Sequence, residues 1–219
     1  MKKLTTTLFG LFALLALTSN ASAFSASGLY LEVGSSAIGS ELDGKITETA
    51  TTPNETTTGQ VGKTAVTASY AIGFMTDRSR KLGLDLGYAR MPGEASIKSN
   101  TTDGTTSNVT FEISDVDETY IAPMLNITED ASVYLKFGWN STDIKITGDT
   151  TKPTSMDGDT LALGTIMSWG SNLYIKTEAG ITDYDKLTVT GLGSGIATTT
   201  TVSATPTVHY GKIAIGYKF

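Results

Sequence analysis

Apolar residues fall on every second position in eight separate blocks of this chain. The clearest block carries Leu82, Leu84, Leu86 and Tyr88. Successive side chains of a β-strand point to opposite faces, so this period predicts strands with one apolar and one polar face. The other seven blocks are residues 29–33, 70–74, 111–127, 133–139, 161–169, 173–181 and 213–219. The pattern predicts an all-β chain of eight strands.

The connections between the blocks alternate in length. Short turns follow the second, fourth and sixth blocks, at residues 77–80, 126–130 and 170–172. Longer connections rich in Thr, Ser, Gly and Asn lie at residues 41–63, 92–108, 147–157 and 191–204. This alternation is typical of an eight-stranded antiparallel up-and-down transmembrane β-barrel, with tight turns on one side and free loops on the other. Asp115, Val116 and Asp117 interrupt the fourth block, which indicates a β-bulge.

The aromatic residues indicate which face of the strands meets lipid. A soluble barrel with an apolar interior has the same period, so periodicity leaves a soluble periplasmic barrel as the alternative. The aromatics of the apolar face nevertheless form two bands, as the interfacial girdles of membrane barrels do. The band near the short turns contains Phe74, Trp169, Tyr217 and Phe219, and the band near the long connections contains Tyr70, Tyr88 and Trp139.

Charged residues occupy the opposite, polar face at a common height. At ~3.3 Å per residue and ~45° tilt they lie roughly 10–16 Å above the short turns. They are Glu32, Asp85, Lys136, Lys176, Glu178 and Lys212. Neighbouring strands carry small residues there, so the charged side chains are expected to pair and fill a narrow barrel. A catalytic or conducting site is the alternative. Lys212 and Glu32 are expected to pair where the first and last strands meet.

The N-terminus has the pattern of a cleaved signal peptide. Lys2 and Lys3 precede a ten-residue apolar run at 8–17, and Ala21 to Ala23 form a small-residue cleavage site. We therefore expect a signal peptide at 1–23 and an outer-membrane β-barrel domain at 24–219. Cleavage takes the formal net charge from −6 to −8. Such an acidic chain is a poor partner for nucleic acid.

The sequence supplies little reactive chemistry. His209 is the single histidine and there is no cysteine, which excludes disulfides and the usual zinc sites. Asp157 with Asp159, and Asp115 with Glu118, form acidic clusters. We interpret them as solvated turns, with Ca²⁺ or Mg²⁺ binding as the alternative. No catalytic residue, metal ligand or cofactor is predicted.

The mature chain resembles the small bacterial outer-membrane β-barrels, the family that includes the OmpA transmembrane domain, OmpX, Ail and the opacity-protein adhesins. The resemblance rests on the N-terminal segment, on residues 131–139 and on residues 212–219. It implies export through the inner membrane, a terminal Phe219 that acts as the insertion signal, and assembly by the barrel-assembly machinery. OmpA continues into a peptidoglycan-binding domain, whereas this sequence closes on Phe219. A peptidoglycan-anchoring role is therefore not expected.

The expected function is that of a non-enzymatic outer-membrane protein with a structural or adhesive role. Its Thr-rich extracellular loops would contact host, phage or matrix ligands, and its barrel would contact outer-membrane lipid and lipopolysaccharide as a monomer. A narrow porin-like channel is the first alternative. A lipid-modifying enzyme is the second, and it lacks a nucleophile–base pair.

Overall fold

The computed structural model describes residues 28–49, 55–76, 78–98, 110–147, 154–192 and 199–219, which form one closed antiparallel sheet. Its strands are β1 (Leu29–Thr49), β2 (Glu55–Met75), β3 (Leu82–Lys98), β4 (Thr110–Asn126), β5 (Ala131–Thr147), β6 (Ser155–Trp169), β7 (Leu173–Tyr184), β8 (Leu187–Leu192) and β9 (Thr199–Lys218). β1 pairs with both β2 and β9, which closes the barrel.

The seventh position around the barrel is shared by two strands. β7 and β8 both pair with β9 and are separated only by Asp185 and Lys186. β8 therefore continues the line of β7, and the barrel has eight strand positions in up-and-down order. The predicted eight-stranded barrel is confirmed. The segment predicted as a signal peptide lies outside the described residues.

The barrel has exposed apolar residues on its outer surface and buried charged residues in its interior. Along β6, Leu161, Leu163 and Met167 are exposed together with Thr165, whereas the alternate positions are buried. A soluble protein reverses this arrangement, and the exterior of a transmembrane barrel has it. No helix among the described residues is long and apolar enough to cross a membrane.

The aromatic residues of the two predicted bands lie on the outer surface. Tyr70, Trp139, Trp169, Tyr217 and Phe219 are exposed, and Trp169 is the most exposed at 75%. The antiparallel register determines the position of these residues along the barrel axis. Leu173 pairs with both Trp169 and Tyr217, so these two aromatic residues lie at the same end of the barrel. Phe74 and Tyr88 are partly exposed on the same outer surface.

Three short turns join the strands at this end, as predicted. They span residues 78–81, 127–130 and 170–172, with Asp77 outside the described residues. In the second turn, the Thr128 hydroxyl accepts a hydrogen bond from the Ala131 backbone N–H at 3.0 Å. In the third, Gly170 has φ +74°, a conformation that glycine adopts without steric cost.

The predicted bulge in β4 is also confirmed. Asp115 has φ 49°, and the pairing of β4 with β5 shifts between Ser114 and Val116. The extra residue changes which positions face inward. Ile113 is buried before the bulge and Glu118 is buried after it, although the two are an odd number of residues apart. The bulge thereby directs a carboxylate into the barrel.

The long connections are shorter than predicted. Residues 41–49 and 55–63, expected in a loop, pair with each other in a hairpin that extends to Glu48 opposite Glu55. β3, β5, β6, β8 and β9 likewise extend into the ranges expected to be loops. The prediction failed because a strand outside the membrane needs no apolar face. Thr favours extended backbone, and the ladder of backbone hydrogen bonds suffices.

Candidate functional site: a charged layer across the barrel interior

The six charged residues singled out in the sequence all face the barrel interior. Glu32, Asp85, Lys136, Lys176 and Glu178 are each no more than 5% exposed. The Lys212 side chain is 8% exposed. They come from β1, β3, β5, β7 and β9, so the strands deliver charge from all around the barrel to one level. We call this set, together with Glu118 and the tyrosine side chains that contact these charges, the charged layer.

Lys136 is the centre of one half of the charged layer. Its ammonium lies 2.9 Å from Glu118 Oε2 and 2.5 Å from Glu178 Oε1. The hydroxyls of Tyr134 and Tyr210 each donate a hydrogen bond of 2.7 Å to Glu178. A buried carboxylate is stable only when it is paired and hydrogen-bonded, and Glu178 has both kinds of partner.

Lys176 is the centre of the other half. Its ammonium lies 2.8 Å from Asp85 Oδ2 and 3.8 Å from Glu32 Oε2. Tyr30 donates a 2.7 Å hydrogen bond to Asp85, and Tyr174 donates a 3.3 Å hydrogen bond to Glu32. The Tyr30 and Tyr174 rings pack edge to face with centroids 6.0 Å apart. Each carboxylate in this half therefore accepts a hydrogen bond from a buried tyrosine.

Lys212 and Glu32 meet at the seam between β9 and β1. Lys212 Nζ lies 2.5 Å from Glu32 Oε1, in an ion contact without hydrogen-bond geometry at that oxygen. The backbone register pairs Glu32 with Gly216 and Lys212 with Ser36. The lysine therefore reaches along the barrel interior to its partner instead of lying directly opposite it.

Two interior residues were not predicted as members of this layer. Glu118 was assigned to a solvated acidic cluster, because the bulge at Asp115 conceals its inward direction. Tyr120, two residues further on, lies between the two halves of the layer. Its ring centroid is 5.3 Å from Lys136 Nζ and 5.0 Å from Lys176 Nζ. Both residues could have been identified from the sequence by counting every second position back from Ala122, which lies on the inner face.

The interior is also filled below the charged layer, towards the short turns. Met75, Met124 and Ile166 are buried there in the same apolar cluster as the layer tyrosines. Arg78 lies beneath them, with its guanidinium donating to the Ser168 hydroxyl and contacting the Met75 sulfur at 3.5 Å. The short-turn end of the barrel is therefore closed by apolar side chains and one arginine.

Above the layer, a row of hydrogen bonds and then an apolar cluster fill the interior. Asn140 donates to the Thr160 hydroxyl at 2.5 Å, and Thr160 contacts Thr182 at 2.6 Å. The cluster beyond them contains Ile113, Ile144, Met156, Tyr184 and Leu187. Between row and layer is a cavity of about 10 Å³, the room of roughly one water molecule.

The other candidate groups are not part of this layer. His209 is exposed on the outer surface. Asp115 and Asp117 are partly exposed and contact Arg90 at 3.3 and 3.7 Å. No cluster of three or more potential metal ligands occurs in the described part of the chain. The layer itself contains only carboxylates, ammoniums and phenols in mutual contact, a set suited to holding strands together.

Comparison with known proteins identifies the fold. No protein-family model and no curated protein sequence matches the chain. The outer membrane protein OprG from Pseudomonas aeruginosa is 17% identical, with 88% of this chain and 96% of that chain covered and a TM-score of 0.52. Ail, the attachment invasion locus protein of Yersinia pestis, is 13% identical over 85% and 99%, with a TM-score of 0.46. Neisserial surface protein A is 11% identical over 88% and 98%, also at 0.46.

Proposed function

We propose that this small eight-stranded β-barrel belongs to the bacterial outer membrane and is a non-conducting, non-enzymatic surface protein. In this proposal the charged layer holds the barrel rigid and closed. The strands that extend beyond the membrane make the contacts with the surroundings. The observation that carries the proposal is the filled interior.

Several features of the interior oppose conduction. An ion crossing the barrel would have to pass the apolar cluster, the hydrogen-bonded row, the charged layer and the floor around Arg78. An eight-stranded barrel is only wide enough for its own side chains to fill. Breaking a buried ion pair such as Lys136 with Glu178 costs about 3–5 kcal/mol, so spontaneous opening is rare.

Enzymatic activity is disfavoured by the position of the reactive groups. General acid–base catalysis needs a base within hydrogen-bond reach of the group that it deprotonates. His209 lies on the outer surface, and the interior carboxylates are bound by lysines and tyrosines. An outer-membrane hydrolase would need a nucleophile beside such a base, and the described residues offer no such pair at the charged layer.

The strands beyond the outer aromatic band provide the surface for contacts. β2 runs fifteen residues past Tyr70 to Glu55, which at ~3.3 Å per residue and ~45° tilt is about 35 Å. We assign the interaction role to this hairpin and its neighbours, with a host, phage or matrix ligand as the class of partner. The proposal also includes removal of residues 1–23, insertion by the barrel-assembly machinery and a monomer surrounded by lipid and lipopolysaccharide.

Planar-bilayer recording tests the closed interior. The purified, refolded protein is expected to give no steady, reproducible current. Stable single-channel steps from the wild-type protein would contradict the proposal and favour the porin-like alternative. Lipid A chemistry that changes when the chain is expressed would instead favour the enzyme.

A trimmed hairpin tests the surface role. Residues 41–62 are replaced by Asn-Gly, which joins Ser40 to its register partner Lys63 through a two-residue hairpin turn. Cells expressing the intact chain are expected to adhere to immobilised matrix protein, and cells expressing the trimmed chain are expected to lose that adhesion. Equal adhesion at equal surface levels would contradict the role assigned to the hairpin.

A further inference from the structure

The barrel interior contains a buried serine whose hydroxyl has no protein partner. Ser69 belongs to β2 and is 3% exposed. None of the residues that the structure describes forms a hydrogen bond with its Oγ. Native proteins rarely leave a buried hydroxyl in this condition, because the hydrogen bonds that it makes with water are lost on burial and must be replaced. The partner of Ser69 is therefore to be sought in the space beside it.

Ser69 lines the small cavity between the hydrogen-bonded row and the charged layer. Two lysines and two carboxylates of the charged layer line the same cavity: Lys136, Lys212, Glu118 and Glu178. Its volume of about 10 Å³ is the room of roughly one water molecule. Empty cavities in proteins have apolar walls, whereas small cavities with several polar groups in their walls hold water. The size and the polar wall together indicate a bound molecule as small as water.

Lys212 supplies a second contact for such a molecule. Its ammonium carries three N–H donors, and its ion contact among the described residues is with Glu32 Oε1 at 2.5 Å. In the ladder between β7 and β9, Lys212 is directly opposite Glu178. These two described residues form no ion pair with each other, and Glu178 contacts Lys136 instead. Because Lys212 and Glu178 both line the cavity, a small molecule inside it can bridge them.

The charges around the cavity favour a neutral occupant. The wall contains two ammonium groups, on Lys136 and Lys212, and two carboxylates, on Glu118 and Glu178, so their formal charges cancel. A cation in the cavity would be repelled by the two lysines, and an anion would be repelled by the two carboxylates. Water carries no net charge, accepts hydrogen bonds from ammonium and hydroxyl groups, and donates hydrogen bonds to carboxylates. Its chemistry therefore matches every polar group of this wall.

We propose that the cavity is a binding site for one ordered water molecule, which accepts hydrogen bonds from the Ser69 hydroxyl and the Lys212 ammonium and donates one to the Glu178 carboxylate. This water connects the seam pair of Lys212 and Glu32 to the half of the charged layer around Lys136. Buried waters with about three hydrogen bonds are lasting parts of protein structures. One enclosed water opens no path through the barrel, and the site does not depend on the proposed surface role.

A crystal structure at high resolution tests the site directly. In the wild-type protein, one electron-density peak is expected in the cavity, about 2.7–3.2 Å from both Ser69 Oγ and Lys212 Nζ. Crystals soaked in rubidium bromide distinguish water from an ion, because rubidium and bromide scatter X-rays anomalously and water does not. The peak in the cavity is expected to give no anomalous signal.

Two serine variants identify the residue that holds the water. Ser69→Val lacks the hydroxyl and adds a methyl group at the cavity wall, so the peak is expected to be lost. Ser36 on the neighbouring β1 is the control, because it is buried and its hydroxyl also has no partner among the described residues, but it does not line the cavity. In solution, oxygen-17 relaxation dispersion counts long-lived internal waters. The count is expected to fall by one in Ser69→Val and to stay unchanged in Ser36→Ala.

Four results would overturn the inference. They are a cavity without density, an anomalous peak in it, a Ser69 hydroxyl that bonds to a protein atom in the crystal, and a peak that persists in Ser69→Val. A dry cavity would leave the absence of current in planar bilayers and the hairpin-dependent adhesion unaffected. A steady current would contradict the closed interior even if the water were found, so the two proposals fail separately.

Discussion

Replacing Lys136 with methionine is the sharpest perturbation of the charged layer. Methionine retains most of the side-chain volume and removes the charge. Two carboxylates, Glu118 and Glu178, lose the ammonium that lies 2.9 and 2.5 Å from them. Breaking one buried pair by removal of a partner costs about 3–5 kcal/mol, because the remaining charge is buried without compensation. Since domains are typically stable by about 5–15 kcal/mol, a large part of the free energy of unfolding is at stake.

Urea titration in lipid vesicles, with the shift between folded and unfolded bands on a gel, measures this loss. Lys136→Met is expected to lower the free energy of unfolding by about 3–5 kcal/mol. Adding Glu118→Gln and Glu178→Gln removes the uncompensated charges while keeping acceptors for Tyr134 and Tyr210. The triple variant is therefore expected to recover most of the loss.

The exposed Lys145 provides the control. It lies 3.8 Å from Glu112 and its side chain is 71% exposed. Exposed ion pairs contribute about 0–1 kcal/mol, so Lys145→Ala is expected to have little effect. The reasoning would be refuted if Lys136→Met were no more harmful than Lys145→Ala, or if neutralising both carboxylates made the Lys136 variant less stable still.

Three further predictions concern the wall of the barrel. Leu163 lies about 14 Å above Trp169 on the lipid face, and Leu163→Arg is expected to lower the free energy of unfolding by about 2–4 kcal/mol in the same titration. An equal loss from Glu129→Arg, in an exposed turn, would argue against a lipid-facing Leu163. Gly216→Ala is expected to lower stability because the new methyl group would collide with the Tyr174 ring, whereas Gly211→Ala meets open space and serves as its control. Phe219→Ala is expected to reduce the amount of folded protein in outer-membrane fractions, whereas Phe219→Tyr is expected to retain it. Equal amounts of the wild-type protein and the Phe219→Ala variant would exclude Phe219 as the insertion signal.

The strand positions and their faces could be predicted because the membrane imposes a strict pattern. Most lipid-facing positions are apolar and none of them carries a charge on β6 between Leu161 and Met167, so this alternation reveals the direction of the side chains between them. The short turns further restrict which residues of neighbouring strands can pair with each other. Interior charges such as Lys136 then stand out, because a charge at that height is excluded from the lipid face.

Glu118 and Tyr120 were missed for a physical reason. A bulge adds one residue and reverses the alternation, so positions on its two sides cannot be assigned by a single count. The count therefore has to restart after the bulge at Asp115. Counted back from Ala122, Tyr120 and Glu118 fall on the inner face, and the structure places Glu118 beside Lys136.

The extent of the hairpins could not be predicted either. Beyond the outer aromatic band the outward positions are polar, as at Ser141, Asp143 and Lys145, so the apolar period on the outer face ends there although Ile144 is buried inside. Glu48 pairs with Glu55 in the backbone ladder, which needs no apolar pattern in the sequence. Polar, Thr-rich sequence fits a loop and an exposed strand equally well.

Chemical labelling of one introduced cysteine tests the filled interior most directly, because the chain contains no cysteine of its own. Ala122 lies within the barrel with no exposed surface, whereas Glu129 is exposed in a short turn. In vesicles, Ala122→Cys is expected to resist a small charged thiol reagent until the barrel is unfolded, while Glu129→Cys reacts at once. Rapid labelling of folded Ala122→Cys would reveal water in the barrel and contradict the closed interior.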